Sequence, residues 1–268
     1  MINVIKATGY REPFSEEKLR FSIQRAGVPK EEQDRLVNYI KDNLYDNIHT
    51  AQIYQFIIDF FKKDKSYARS RYSLKQSLMD LGPTGYPFED FVSDILENQG
   101  YKTKVRQVIQ GKCITHEVDV IAERQDKKIM VEAKFHNAPG IKTDVHVAMY
   151  TKARFDDIRE QNNINEAWIF TNTKVTEDAL SYASCVNMHV VSWSYPNNES
   201  LRDLIEQLKL FPITALSTIN EAQKQELMQN HVIMCKDIVD KSSCLDILGL
   251  TGVKKENVLK EASYICQE

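Results

Sequence analysis

The sequence predicts an α/β core with a mixed sheet flanked by helices, preceded by a mainly helical segment and followed by a small all-α segment. Strand-like runs alternate with helical patterns between residues 101 and 193, whereas helical periodicity dominates before residue 82 and no β-rich run follows residue 197. The run LGPTGYP, with two Gly and two Pro, marks the first boundary. We therefore expect three domains, which cover residues 1–82, 83–196 and 197–268.

The composition is that of an ordinary globular protein. Of the 268 residues, 42% are hydrophobic and 27% charged, and 35 Lys and Arg against 38 Asp and Glu leave a net charge of −3. A packed core is expected, and any site for a polyanion must be a local patch. The sequence shows neither a membrane-length apolar run nor a signal-peptide pattern, and its five cysteines form no Cys-x-x-Cys pair. These features predict a cytoplasmic protein without disulfides or a structural zinc site.

The first segment predicts a short hairpin followed by four helices. β-prone residues at 2–12 contain Gly9 as a turn, and Ser15 is a natural N-cap for the helix that follows. In each helix, apolar residues recur at helical spacing. The helices are predicted from Ser15 to Gly27, over 30–44, from an N-cap at Thr50, and from about Ser66 to Leu81.

The middle segment predicts alternating helices and strands. Its first helix, at 87–99, begins at Pro87 and ends before Gly100, and it carries apolar residues at every third or fourth position. Strands are predicted at 101–109, 116–123, 128–135, 167–172 and 189–193, and further helices at 145–160 and near 175–185.

Acidic and basic side chains meet on two consecutive strands of this segment. Residues of KIMVEAKF (128–135) alternate between faces, so Glu132 and Lys134 share one face. The polar turn RQDKK folds the preceding strand back as a hairpin, which places Asp119 beside Glu132. Two carboxylates about 4 Å apart repel by roughly 4 kcal/mol at an effective dielectric of 20, so the pair requires a proton, a lysine or a cation. Mg²⁺ suits such a pair because one or two carboxylates, water and substrate phosphate complete its coordination.

The order Asp119, twelve residues, then Glu132-Ala133-Lys134 resembles the PD-(D/E)xK nuclease motif, with Val118 in place of the proline. Together with GYPFEDFVSDILENQGYKTKV, HEVDVIA and MVEAKF, it resembles Mrr-like restriction endonuclease and Holliday-junction resolvase domains over roughly 85–195. This resemblance implies a restriction-endonuclease-like fold that binds Mg²⁺ or Mn²⁺. The implied roles are metal binding by Asp119, Glu132 and the Ala133 carbonyl, water activation by Lys134, and assistance from Glu89. The alternative is a surface ion pair of Glu132 with Lys134, and Asp119 as a turn cap.

Basic residues around the motif are candidates for contacts to DNA, or to RNA, because they could neutralise phosphates. A solvated strand edge explains those before the motif equally well. The candidates are Lys102, Lys104, Arg106 and Lys112, in a stretch without acidic residues, and Lys152 and Arg154 on the later helix.

The N-terminal run VIKATGYREPFSEEKL resembles the opening of the ATP-cone, a regulatory nucleotide-binding domain of ribonucleotide reductases and related proteins, over about residues 2–80. The family's usual Lys-Arg-Asp-Gly stands here as Lys-Ala-Thr-Gly. A helical oligomerisation module is the alternative. The resemblance implies that Lys6 and Lys18 face the triphosphate of ATP or dATP, that Glu12 and Ser15 lie near the nucleotide, and that Thr50 and Tyr54 flank it.

The C-terminal segment contains the turn Gly249-Leu250-Thr251-Gly252 before a basic helix start, which suits either phosphate contact, as in helix-hairpin-helix units, or oligomerisation. The resulting hypothesis is a Mg²⁺-dependent DNA endonuclease, regulated by ATP or dATP and assembled as a homo-oligomer, with defence against foreign DNA as one setting. The alternative is a nucleotide-responsive DNA-binding or regulatory protein whose nuclease-like domain does not cleave.

Overall fold

The computed structural model describes residues 2–26, 28, 30–64, 67–138 and 140–267. The chain divides into two compact units, Met1–Leu74 with Ala215–Ser217, and Lys75–Thr214 with Thr218–Glu268. The helix boundaries expected at Gly27 and Ser66 lie outside the described residues. Among the described helices, none combines the length and the apolar character that crossing a bilayer requires.

The first unit consists of a small sheet and helices. Its elements are β1 (Asn3–Ile5), β2 (Arg11–Pro13), α1 (Glu16–Arg25), α2 (Lys30–Asp42), β3 (Ile48–His49), α3 (Thr50–Asp64) and α4 (Ala68–Tyr72). Strand β1 pairs antiparallel with β2 and parallel with β3. The mainly helical character expected for this segment is confirmed, but β3 was not expected, because a two-residue strand is too short to show alternation.

Local sequence accounts for the helices of this unit. The Ser15 hydroxyl accepts a hydrogen bond from the Lys18 N–H at 3.2 Å and so caps α1, as the sequence predicts. The last predicted helix is divided at Ser73, where α4 ends and α5 (Leu74–Met79) follows. The Ser73 hydroxyl donates to the Ser70 carbonyl at 3.1 Å, a local bond that competes with continuous helix.

The second unit contains a five-stranded mixed sheet flanked by helices, which confirms the expected fold class. Its elements up to residue 208 are α6 (Tyr86–Asn98), β4 (Lys102–Gln110), β5 (Thr115–Arg124), β6 (Lys127–Lys134), β7 (Lys142–Thr143), α7 (Val145–Asn162), β8 (Glu166–Thr171), β9 (Lys174–Val175), α8 (Glu177–Cys185), β10 (His189–Val191) and α9 (Leu201–Leu208). The strand order is β10-β8-β6-β5-β4. Strands β10, β8 and β6 run parallel, while β6, β5 and β4 run antiparallel.

Both faces of this sheet are covered, which explains the long apolar runs of the central strands. Met130 and Ile169 pack in one cluster with Phe155 and Ile158 of α7. Val131, one residue along β6, faces the other way and is fully buried. The predicted hairpin turn between β5 and β6 is tight, with Gln125 at φ 55° and Arg124 paired with Lys127.

The C-terminal part of the second unit is all-α, as the sequence predicts. It contains α10 (Glu221–Gln229), α11 (Cys235–Asp240), a 3-10 helix (Ser242–Leu248) and α12 (Gly252–Cys266). Gly249 adopts a φ of 61°, the left-handed conformation that ends the 3-10 helix. After the turn, Lys255 pairs with Asp246 at 2.5 Å, so this lysine has an acidic partner within the helical region itself.

Candidate active site

The two acidic residues of the motif lie where β5 and β6 separate. The last regular pair of this ladder is Val120 with Val131, and the next pair in register would be Asp119 with Glu132. Instead, the Asp119 Oδ2 accepts a hydrogen bond from the Ala133 N–H at 2.7 Å. The Asp119 carboxyl group is thus fixed against β6 next to Glu132.

Burial raises the pKa of both carboxyl groups. For Glu132, the charge of Asp119 raises the pKa further, while the charges of Arg154 and Lys134 act in the opposite direction. For Asp119, the Ala133 N–H and the Arg154 charge oppose the effect of burial. Ionising either carboxyl group therefore costs free energy in this environment, and a nearby cation lowers that cost.

Arg154 of α7 supplies one such cation. Its Nη1 binds the Glu132 Oε2 at 2.5 Å, and its Nη2 donates to the Glu117 carbonyl. The residue is only 7% exposed. The guanidinium of Arg154, a candidate for DNA contact, is thus held against a motif carboxylate, and its contact with nucleic acid stays a prediction. It also lies over the Tyr150 ring, 5.4 Å from its centroid, one helical turn earlier.

Lys134 lies on the same face of β6 as Glu132, two residues further along, and is half-buried. Its charge lowers the pKa of Glu132 and of Asp119. The sequence prediction that a carboxylate and an ammonium group share this face therefore agrees with the structure, while the role of Lys134 stays a prediction.

Glu89 approaches the pair from the first turn of α6. Burial and then the charge of Asp119 raise its pKa to about 7, against the effect of Arg106. Arg106 Nη1 donates to the Glu89 Oε2 at 3.2 Å, and its Nη2 donates to the Asp90 Oδ1 at 2.7 Å. The structure thus places Glu89 near Asp119, while the assistance that the resemblance implied for Glu89 stays a prediction.

Arg106 was expected to contact DNA, but the structure engages its guanidinium with α6. The residue lies opposite Asp119 in the β4–β5 register and has a φ of 51°, which is uncommon for a residue with a side chain. Its contact with nucleic acid stays a prediction. No periodicity in the sequence signals this conformation, because it depends on tertiary contacts with Glu89 and Asp90.

A cavity of about 390 Å³ lies next to these groups. Its lining residues are Tyr86, Glu89, Ile114, Thr115, His116, Glu117, Asp119, Tyr150 and Arg154. The hairpin tip between β4 and β5 forms part of the wall, and Asp157 of α7 fixes it. The Asp157 carboxylate accepts from the Cys113 N–H at 2.8 Å and pairs with His116 Nε2 at 2.8 Å.

Sequence reasoning missed Asp157. Its hydrogen bond with His116 is the largest influence that lowers its pKa well below the usual range. Gly111 fits beside it, because an added Cβ would lie 2.2 Å from the Asp157 Oδ2. The glycine at the hairpin tip was the only available signal for such a close approach.

The donor set fits a divalent metal. Within the described residues, no three His, Cys, Asp or Glu side chains are grouped to hold a metal by themselves. The site offers two half-buried carboxylates instead. Mg²⁺ is commonly bound by one or two carboxylates with water and substrate phosphate. The bonds to Ala133 and Arg154 engage one oxygen of Asp119 and one of Glu132, which leaves the other oxygen of each for a metal.

The remaining basic candidates do not line the cavity. Lys102 and Lys104 are exposed on β4, an edge strand of the sheet, and Lys112 is exposed at the hairpin tip. Lys152 pairs with Asp156 one turn along α7. Their contact with nucleic acid stays a prediction.

In the first unit, the residues expected around a nucleotide are partly brought together. Glu12 binds Lys6 Nζ at 2.9 Å and Lys18 Nζ at 3.1 Å, and these bonds lower the pKa of Glu12. Ser15 lies between Glu12 and Lys18 in the sequence and caps α1 through its bond with the Lys18 N–H. Because Ile5 pairs with His49, Lys6 and Thr50 follow at the same end of the small sheet. The Tyr54 ring stacks on Tyr72 with centroids 5.8 Å apart.

Three family models match the chain. They are the ATP cone domain over residues 2–77, a restriction endonuclease model over residues 83–196, and the AF1548-like C-terminal model over residues 211–266. An uncharacterized protein of Archaeoglobus fulgidus is 40% identical over 172 residues, which cover 64% of this chain and 97% of that protein. The crystal structure of a protein of unknown function, AF1548, shares 38% identity, covers 68% of this chain and 98% of its own, and gives a TM-score of 0.60.

Proposed function

Because the chain belongs to the AF1548-like family and joins an ATP cone to a restriction endonuclease domain, we propose that it is a Mg²⁺-dependent DNA endonuclease whose activity responds to ATP or dATP. The observation that carries the catalytic part is the placement of Asp119 against Ala133, beside Glu132, on strands that also present Lys134. This arrangement places two costly half-buried carboxylates where a divalent ion would relieve their repulsion.

The proposed reaction is hydrolysis of a phosphodiester. Bound Mg²⁺ would acidify its water and polarise the phosphate. Asp119 and Glu132 would hold that ion, and the bond from the Ala133 N–H keeps the Asp119 carboxylate fixed. Lys134 orients the attacking water through its ammonium group, on the same face as Glu132. Arg154 holds Glu132 in place through its Oε2.

Glu89 is the residue suited to move a proton. With a pKa of about 7, its carboxyl group exchanges a proton near neutral pH, as an efficient acid or base requires. It lines the same cavity as Asp119, and Arg106 fixes its position. We assign Glu89 to proton exchange with water in this cavity, in addition to a place near the metal.

A cleavage assay tests the catalytic proposal. Plasmid and single-stranded DNA are incubated with Mg²⁺ or Mn²⁺ and with wild type, Asp119→Ala, Lys134→Ala or the control Asp126→Ala. Asp126 lies in the exposed β5–β6 turn. We expect both site variants to lose at least a hundredfold in rate, since each removes a charge from the reacting centre. The control should cleave like wild type.

The alternative is a protein that binds DNA without cleaving it. Mobility-shift measurements with the same variants distinguish the two. Binding with no cleavage in any metal tested, by wild type as well as by the variants, would favour the non-cleaving regulatory protein.

For the cone, we propose that Lys6 and Lys18 bind the triphosphate of ATP or dATP. Glu12 now holds both ammonium groups, so the nucleotide must compete for them. Calorimetry should detect binding of ATP and of dATP to wild type and to the control Lys62→Ala. It should detect no binding to Lys6→Ala/Lys18→Ala. Absence of heat for wild type at millimolar nucleotide would contradict the proposal.

We place this enzyme in the cytoplasm, where a reducing environment keeps thiols from forming disulfides, because none of the five cysteines is in a disulfide. Nucleotide binding would act by changing a homo-oligomer or access to the cavity, which requires a coupling of about 1–3 kcal/mol between the two sites. Defence against foreign DNA is one role that such regulation would serve. Sedimentation with and without dATP tests the change in assembly.

A further inference from the structure

A second cavity, of about 500 Å³, opens on the other face of the sheet from the proposed catalytic residues. Trp168 and Phe170 of β8 pair in register with Val131 and Ala133 of β6, so they face away from Glu132. Gln99, which lines this second cavity, directly follows α6 and lies ten positions after Glu89, about 15 Å along a helix. The two cavities are therefore separate sites within the same unit.

The wall of this cavity is aromatic. The rings of Trp168 and His189 lie side by side on neighbouring strands, with centroids 4.5 Å apart. Tyr101 meets the Trp168 ring edge-on at 6.0 Å. The two ring planes are tilted by 46°, so a planar heteroaromatic ring can stack on the face of one and contact the other. Stacking on aromatic side chains dominates the recognition of unpaired nucleobases.

The rim supplies a positive charge. The Arg124 guanidinium lies 4.8 Å from the Tyr101 centroid, and its Nη1 donates to the Gln99 carbonyl at 2.7 Å. Arg124 remains exposed on its outer side. A guanidinium beside a stacking surface is the arrangement that binds a nucleotide phosphate next to its base.

Gln99, which lines this cavity, has a buried side-chain oxygen without a partner in the part of the chain that the structure describes. The Gln99 Oε1 is buried and accepts no hydrogen bond from the described residues. A buried acceptor without a donor costs free energy, which a ligand N–H group would recover. The exocyclic amino groups and ring N–H groups of nucleobases are donors of this kind.

We propose that this cavity binds a nucleobase, stacked on the wall formed by Trp168 and His189, with its phosphate at Arg124. The Gln99 side chain turns towards this ligand, so that its Oε1 accepts from the N–H edge of the base. The base comes either from a free nucleotide or from an unpaired position of a nucleic acid strand. Both sources present the same ring, edge and phosphate. The site is distinct from the ATP cone, since every residue that lines it lies in the second unit.

Binding measured in EDTA tests the proposal without requiring cleavage. The full chain carries Lys6→Ala/Lys18→Ala in every sample, so that the cone does not contribute. Saturation-transfer NMR and calorimetry measure the binding of the four deoxynucleoside monophosphates. Fluorescence anisotropy measures the binding of a labelled twelve-nucleotide single strand and of a labelled strand of the same length made entirely of abasic sites.

The variants are Gln99→Leu, which removes the unpartnered acceptor, and His189→Ala, which removes an exposed stacking ring. Gln161→Leu, an exposed substitution on α7, is the control. Urea unfolding checks that each variant is folded, and Gln99→Leu should be at least as stable as its parent because the acceptor has no partner to lose.

If a free nucleotide is the ligand, the monophosphates bind, and each cavity variant lowers their affinity roughly tenfold, whereas Gln161→Leu leaves it unchanged. If the base belongs to a strand, the cavity variants lower the affinity for the normal strand about tenfold and leave the affinity for the abasic strand unchanged. The proposal is overturned if Gln99→Leu and His189→Ala change the affinity for neither ligand. It is also overturned if they lower the affinity for the abasic strand as much as that for the normal strand. None of these outcomes depends on whether the protein cleaves DNA.

Discussion

Arg154 and Glu132 form a largely buried ion pair in the site. Their side chains are 9% and 15% exposed, and the guanidinium also binds the Glu117 carbonyl. Removing one partner of a buried pair leaves the other charge without compensation. The stability of this region and the readiness of Glu132 to bind a metal therefore depend on the same side chain.

We expect Arg154→Gln to lower the free energy of unfolding by about 3–5 kcal/mol at neutral pH, because the Glu132 carboxylate then remains buried and unpaired. Urea denaturation in EDTA measures this loss. Mg²⁺ should restore more stability to Arg154→Gln than to wild type, since the metal would replace the missing positive charge.

Arg159→Gln is the matched control. Arg159 lies on the same helix, is about half exposed and pairs only loosely with Asp156 at 3.9 Å, so its loss should cost at most about 1 kcal/mol. Equal effects of the two substitutions would show that the Arg154 pair contributes no more than a surface pair.

At the scale of elements, α6 connects the site to the C-terminal helices through its acidic residues. Glu89 in its first turn and Asp94 one turn later both have a pKa of about 7. For Asp94, burial is the main cause, followed by the charge of Asp237 in α11. The Asp237 carboxylate caps α11 by accepting from the Ile233 and Met234 N–H groups.

This arrangement predicts a pH-dependent stability. Because the pKa of Asp94 is raised from 3.8 to about 7 in the folded state, folding favours the protonated carboxyl group. Its contribution is present at low pH and is lost as pH rises from about 4 to 7. Asp94→Asn should therefore be about 1–3 kcal/mol more stable than wild type at pH 8, with the gain disappearing towards pH 4.

Urea denaturation at several pH values in EDTA checks this expectation. The control is Asp126→Asn in the exposed β5–β6 turn, which should follow wild type at every pH. A variant at Asp94 with the same pH dependence as wild type would mean that this carboxyl group is ionised in the folded protein at neutral pH.

The elements that the sequence predicted best are those with long, regular patterns. The alternation in β6 identified the face that carries Glu132 and Lys134, and the polar turn correctly predicted the β5–β6 hairpin. The two-residue strands β3, β7 and β9 escaped prediction, because so few residues establish no period.

At the scale of the whole molecule, two compact units divide the chain near residue 75. The Archaeoglobus relative matches 64% of this chain with 97% of its own length, so about two thirds of the chain corresponds to an entire protein elsewhere. The proposed catalytic residues and both described cavities lie in the second unit.

We therefore expect residues 75–268 to fold without the first unit and to cleave DNA at a rate that ATP and dATP no longer change. Circular dichroism and urea unfolding test folding, and the plasmid assay with and without nucleotide tests regulation. The full chain, and the full chain with Lys6→Ala/Lys18→Ala, are the controls. A fragment that is folded but still responds to nucleotide would place the regulatory site outside the cone.

The sequence alone determined the fold class, the order of the principal elements, the family resemblances and the proximity of Asp119 to Glu132. These depend on short-range patterns, which are the period of a strand, the composition of a turn and the spacing within a motif. The tertiary structure decided that Arg106 and Arg154 bind acidic groups of the site, that Asp157 holds the hairpin tip, and that a second, aromatic cavity exists. Such contacts join residues that are distant in sequence, for example Arg154 and Glu117 at a separation of 37 positions. Only the packing of helices on the sheet brings them together, and no local pattern encodes that packing.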